Sequence, residues 1–122
     1  MLRILLVEDD QHFRKILKQE LNGWFPSIVV EEASDGKEAM EKTESFSPRI
    51  IFMDIRLPDE SGLQLTKRIK AKYPAINIVM LTSHNLPEYR QAAMECGASH
   101  FFVKGTSNGY EIKSLVESLL KV

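Results

Sequence analysis

One cysteine, no long apolar run and almost no net charge remove several function classes before any motif is read. Cys96 is the single thiol among 122 residues, so no internal disulfide can form. No charged-then-apolar leader precedes the first apolar run, and a reducing cytoplasm is the expected setting. Nothing approaches the ~20 uninterrupted apolar residues that a membrane-spanning helix needs, so no membrane role is expected. With 16 Lys and Arg against 17 Asp and Glu, a net charge of -1 leaves no basic footprint, and direct nucleic-acid binding by this segment is not expected. His12, His84, His100 and Cys96 fall on different elements without ligand spacing, which argues against a zinc set. There is no internal repeat or low-complexity tract, and residues 1–122 suit one domain with one core.

What is present is a series of short apolar runs that end in polar residues. Ile50-Ile51-Phe52-Met53 reads as a strand buried on both faces, and it stops at Asp54. Ile55 to Gly62 then carries the Pro58 and Gly62 of a loop. Leu2 to Val7 is a second such run and delivers Glu8-Asp9-Asp10. Ile28-Val29-Val30 predicts a short strand, Ile76 to Leu81 a fourth ending at Thr82-Ser83, and Phe101-Phe102-Val103 a fifth ending in Lys104.

Between these runs the apolar spacing is helical. Phe13, Ile16, Leu17, Leu21 and Trp24 predict a helix from Gln11, with Asn22-Gly23 as its stop. Asp35 or Ser34 is placed to cap the next helix, and Ser61 to Tyr73 reads as a third. Pro87 suits the first turn of a fourth that Gly97 ends, and a last helix runs from about Asn108. Ala92, Ala93, Leu115, Val116, Leu119 and Leu120 are read as core rather than interface, whereas Tyr89 and Tyr110 could mark an exposed face. Five strands alternating with five helices predict an α/β, doubly wound parallel sheet. Right-handed crossovers then bring all strand C-termini to one edge, where ligands bind in such sheets.

That edge would gather Glu8, Asp9, Asp10, Asp54, Thr82, Ser83 and Lys104. Converging carboxylates repel and call for a counter-charge. A hard cation with oxygen ligands fits, Mg²⁺ (or Mn²⁺) foremost, because it accepts one or two carboxylates and bridges to phosphoryl oxygens. Lys104 adds a point charge and Thr82 a hydroxyl donor. The set is suited to a carboxylate nucleophile that becomes an aspartyl phosphate.

The ordered set resembles the receiver domains of two-component response regulators along essentially the whole chain. It comprises the acids after the first strand, Asp54 followed by Leu57-Pro58-Asp59-Glu60-Ser61-Gly62, Thr82 after the fourth strand and Lys104 after the fifth. The resemblance implies a CheY-like, flavodoxin-like three-layer (βα)5 sandwich with strand order 2-1-3-4-5. It implies Asp54 as phosphoacceptor, Asp9 as direct metal ligand, Glu8 as its partner through water, and the Arg56 carbonyl as a further ligand. Asp9 is preferred to Asp10 because Arg14 lies five residues after it, and Asp10 becomes a neighbour or helix cap. Thr82 with Ser83 matches the switch hydroxyl position, Lys104 the phosphate-pairing lysine, and Phe102 the aromatic that turns inward on activation. Arg56 and His84 would flank the phosphoryl group and set its lifetime. Implied partners are a sensor histidine kinase or phosphotransfer protein, with an output domain, an effector or a second copy at the last two helices and the strand between them.

Two positions depart from the family's pattern. Gly105 stands where Pro often follows the lysine, so a trans peptide and a more mobile loop through Thr106, Ser107 and Asn108 are expected. Phe102 lacks the hydroxyl that Tyr would offer a partner. Competing functions fare worse on the residues. A phosphatase with a nucleophilic Asp would want an acid two residues on, where Arg56 stands. A flavin mononucleotide site would want a Ser/Thr/Gly-rich loop in place of Glu8-Asp9-Asp10. A phosphorylation-independent pseudo-receiver is the remaining alternative, and turnover of an external substrate is not expected.

Overall fold

The computed structural model describes residues 2–105 and 109–120. Five strands, β1 (Arg3–Val7), β2 (Val29–Ala33), β3 (Ile50–Met53), β4 (Asn77–Thr82) and β5 (His100–Val103), pair in parallel in the order β2-β1-β3-β4-β5. Five helices alternate with them: α1 (Gln11–Trp24), α2 (Gly36–Phe46), α3 (Gly62–Lys72), α4 (Pro87–Glu95) and α5 (Gly109–Leu120). The doubly wound expectation and the strand order both hold. The expected loop at Thr106, Ser107 and Asn108, including a helix start at Asn108, lies outside the described residues.

Successive strand residues point to opposite faces, and here both faces are apolar. Leu5, Val7, Ile51, Met53, Ile78 and Met80 face Ala39 of α2, Leu65 and Ile69 of α3 and Ala93 of α4. Ile4, Leu6, Ile50, Phe52, Val79 and Leu81 face Leu17 and Leu21 of α1 and Ile112 and Val116 of α5. Double-sided burial is why β3 reads as an unbroken apolar run, with all four of its residues buried. Among the apolar residues read as core, Ala93 and Val116 are buried, but Leu120 is 38% exposed near the end of α5.

Strand and helix ends differ most from the sequence reading at β2 and α1, and elsewhere by a residue or two. β2 extends through Glu31 and Glu32, because an edge strand keeps one side in water and tolerates half-exposed acids. α1 runs through Asn22 and Gly23 to Trp24, since the N–H of buried Phe25 still bonds the Leu21 carbonyl and the ring closes the core below it. Asp35 is the cap of α2, accepting from Glu38 N–H at 2.8 Å, while Ser34 instead donates to the Glu38 carboxylate. The Lys104–Gly105 peptide is trans, as expected. Among the described residues no helix is long and apolar enough to cross a membrane.

Candidate functional site

Parallel pairing in register carries Val7, Met53 and Thr82 to the same edge of the sheet, and the residues just beyond them form the site. Glu8 is 5% exposed and Asp54 7%, so two carboxylates are held almost out of water. Asp54 N–H bonds the Val7 carbonyl at 3.0 Å, and Glu8 N–H bonds Ala33 at 3.0 Å, which ties both to the ladder. Asp9 is exposed beside them. One carboxylate oxygen from each of Glu8, Asp9 and Asp54 lies within 4.8 Å of the others.

Asp10 turns away into a local role. Its carboxylate accepts from Phe13 N–H at 3.1 Å and caps α1, while its own N–H donates to Glu8 Oε2 at 3.0 Å. Asp9 thus lies with Glu8 and Asp54 while Asp10 serves the helix. Arg14 sends Nη1 to the Glu8 carbonyl at 2.5 Å and Nε to Glu32 at 2.9 Å, fixing the backbone under the acids.

Lys104 enters from β5 and places its ammonium between Glu8 and Asp54, 3.2 Å from Asp54 Oδ2. The Phe13 ring lies under the same nitrogen, 4.3 Å from centroid to charge, a cation–π contact that sequence reasoning did not anticipate. Phe13 reads as an ordinary inward position of an amphipathic helix, and nothing in its spacing separates it from core residues. Thr82 is fully buried, and the N–H of Ile55 donates to Asp54 Oδ1 at 2.7 Å. His84 N–H donates to Thr82 Oγ1 at 3.3 Å, so the loop after β4 is hung on that hydroxyl.

Burial pushes the Asp54 carboxyl above its ordinary value, and the charge of Asp9 adds to that rise, against the opposing hydrogen bonds from Thr82, Ile55 and Arg56. Burial also pushes the Lys104 ammonium down to about 8, in spite of the two carboxylates beside it. One ammonium among three close carboxylates leaves an excess of negative charge, and three oxygen donors at this spacing fit a hard divalent cation. Such an ion competes with a proton at Asp54 and with the charge on Lys104. Mg²⁺ affinity is therefore expected to rise as Asp54 ionises and again as pH passes about 8, where Lys104 loses its proton. Calorimetric titrations below, at and above that pH would show it; a Kd that does not change with pH contradicts the competition.

The remaining sequence candidates flank this cluster. Arg56 is exposed, and its Nη2 reaches the Tyr89 hydroxyl at 3.5 Å. His84 presents its ring edge-on to Tyr89, with centroids 6.2 Å apart. Tyr89 thus lies at the rim of the site, half-buried, whereas Tyr110 is 81% exposed on α5. Ser83 follows Thr82 but is exposed. Phe102 is half-buried on β5 against the α1 and α5 face and stacks on His100, outside the carboxylate cluster.

Residues 4–117 match the response regulator receiver domain family. The chain belongs to that family. A transcriptional regulatory protein LnrK of Bacillus subtilis is 31% identical over 95% of this chain and 53% of its own length. The chemotaxis protein CheY of Halobacterium salinarum is 31% identical over 84% of this chain and 83% of its own length. Among solved structures, a two-component response regulator of the LuxR family from Aurantimonas sp. SI85-9A1 superposes with a TM-score of 0.86 at 31% identity, covering 98% of this chain and 84% of that one. A signal receiver domain from Colwellia psychrerythraea superposes with a TM-score of 0.93 at 21% identity, which speaks to the fold. The receiver spans about half the length of several curated relatives, 44%, 53% and 51% of three of them. Receiver domains are signalling modules of two-component systems.

Proposed function

We propose that this receiver is a phosphorylation-dependent switch in which Asp54 is the phosphoacceptor. The observation that carries the reading is a nearly buried carboxylate at a strand end, flanked by two further acids, a buried hydroxyl and one ammonium. A sensor histidine kinase or phosphotransfer protein is the donor. An Asp54 oxygen bonds to phosphorus as the bond from phosphorus to the donor atom breaks, and the leaving group keeps the electron pair and takes a proton. Asp9, Glu8, Asp54 and the Arg56 carbonyl would hold Mg²⁺ or Mn²⁺, which supplies charge stabilisation for the transferred group.

The chain's own residues do the rest. Lys104 exchanges its carboxylate contacts for a phosphoryl oxygen, remaining in reach of the charge it neutralises. Thr82 turns its hydroxyl to the phosphoryl group, and Ser83 and His84 follow because the loop hangs on that hydroxyl. Phe102 then moves inward and the surface formed by α4, β5 and α5 changes, where Met94 and Tyr110 are exposed for an output domain, an effector or a second copy. No external substrate is turned over, and the setting is the cytoplasm.

Incubation with acetyl phosphate and Mg²⁺, followed by intact-protein mass, tests the reading. A metal-dependent gain of one phosphoryl group is expected; a folded protein that gains none would have to be read as a pseudo-receiver. Arg56 and His84 border the reactive phosphorus and screen it from water. Replacing both by Ala is expected to change the dephosphorylation rate severalfold, on the order of 1 kcal/mol in the barrier, measured by the decay of the mass shift. An unchanged rate would remove them from that role.

A further inference from the structure

Asp59 lies at the exposed tip of the loop between β3 and α3, yet both of its carboxylate oxygens are occupied by backbone donors of another helix. Oδ1 accepts from Gly36 N–H at 2.8 Å and Oδ2 from Lys37 N–H at 3.0 Å. Those are the first two residues of α2, whose own cap, Asp35, already serves Glu38 N–H. The three leading donors of α2 are thus divided between a local carboxylate and one that arrives from more than 20 residues away. The anion also sits at the positive end of the helix dipole, and the bonds hold the Asp59 carboxyl below its ordinary value.

The next residue tightens the same joint. A Cβ on Gly36 would meet the Glu60 side chain at 2.3 Å, so Glu60 packs directly over the α2 backbone. Glu60 also pairs with Arg68 on α3. Within itself the loop is held by the Arg56 to Ser61 bridge, Leu57 N–H to the Glu60 carbonyl at 3.3 Å and Gly62 N–H to the Ile55 carbonyl at 2.6 Å, while Ile55 and Leu57 pack on the core and Arg56 reaches Tyr89. At the tip, Asp59 and Glu60 carry the side-chain contacts to α2 and α3.

We propose that Asp59 is a positioning residue for the Asp54 site: by clamping the loop tip to the N-terminus of α2 it fixes the backbone at Arg56 and presets that carbonyl for a divalent cation. The proposal rests on the reading of Asp54 and its neighbours given above. It makes α2 and the acceptor loop one mechanical unit. The clamp is intramolecular and requires no ligand at the helix end.

The experiment compares two carboxylates on one helix end. Asp59→Ala and Asp35→Ala each remove a cap from α2, but only the first releases the loop. Asp59→Ala is expected to weaken Mg²⁺ binding by about tenfold, the low end for groups that orient metal ligands from outside. It should also accelerate amide exchange at Ile55, Leu57 and Gly62. Asp35→Ala should leave Mg²⁺ affinity within about twofold despite a comparable or larger fall in Tm. Asp59→Asn, which keeps one acceptor oxygen, should fall between. Equal Mg²⁺ affinities in the two Ala variants, with equal exchange in the loop, would overturn the proposal. A parent protein that binds no Mg²⁺ would defeat the reading of the site, and loop exchange would still decide the clamp: faster exchange in Asp59→Ala alone supports it, and no difference rejects it.

Discussion

Gly62→Ala is expected to destabilise the domain by about 3 kcal/mol or more, at the upper end for overpacking. Gly62 opens α3, and a Cβ there would lie 1.9 Å from the Asp54 carbonyl oxygen and 2.9 Å from its carbonyl carbon. Both obstacles are backbone, so no side chain can rotate out of the way. The same glycine donates its N–H to the Ile55 carbonyl at 2.6 Å, closing the loop that carries Asp54 and Arg56. Any relief must therefore move the acceptor or break that bond. Thermal unfolding followed by circular dichroism should show Tm lowered by roughly 10 °C. A Tm within a degree or two of the parent would mean that the close approach is not built as described.

The second large effect is expected at Lys104. Its ammonium bridges two acids whose side chains are 7% and 8% exposed, and Lys104→Met leaves them close together without a counter-charge. Removing one partner of a buried ion pair costs about 3–5 kcal/mol in general, because the remaining charge is stranded. Here a divalent cation can replace the lost charge. The metal-free variant should melt well below the parent, and saturating Mg²⁺ should raise its Tm more than it raises the parent's, since the ion no longer competes with an ammonium. The rise in Mg²⁺ affinity as pH passes about 8 should also vanish in this variant. Equal metal-free Tm values, or an equal response to Mg²⁺, would contradict the role of Lys104 as the charge that holds the acids together.

How much of this was legible beforehand depends on where each residue's partner lies. β1, β3 and β4 are central strands buried on both faces, so their apolar runs are broken only by Arg3 and Asn77 at the strand starts, and their ends, at Glu8, Asp54 and Thr82, could be placed. β2 was read short because Glu31 and Glu32 break the apolar run, although an edge strand tolerates them and Glu32 pairs with Arg14 and Lys18. The expectation that Asp10 is a neighbour or helix cap agrees with its bond from Phe13 N–H. Phe13 beneath Lys104 and Asp59 on α2 were not legible, because each contact joins residues far apart in the chain. An exposed Asp in a loop and a Phe at a helical repeat carry no local mark of such partners. Tyr89 was read as a residue of an exposed face, yet its hydroxyl meets Arg56 and its ring meets His84 at the rim of the site.

Asp54, rather than Asp9 or Asp10 a few residues from the same mouth, is expected to take the phosphoryl group. Borohydride reduction tests this most directly, because an acyl phosphate is reduced to the alcohol and leaves homoserine where the aspartyl phosphate stood. After acetyl phosphate and Mg²⁺, followed by reduction and tandem mass spectrometry of peptides, homoserine is expected at position 54, with Asp9 and Asp10 intact and no conversion in Asp54→Asn. Homoserine at position 9 or 10, or its persistence elsewhere in Asp54→Asn, would mean that Asp54 is not the acceptor.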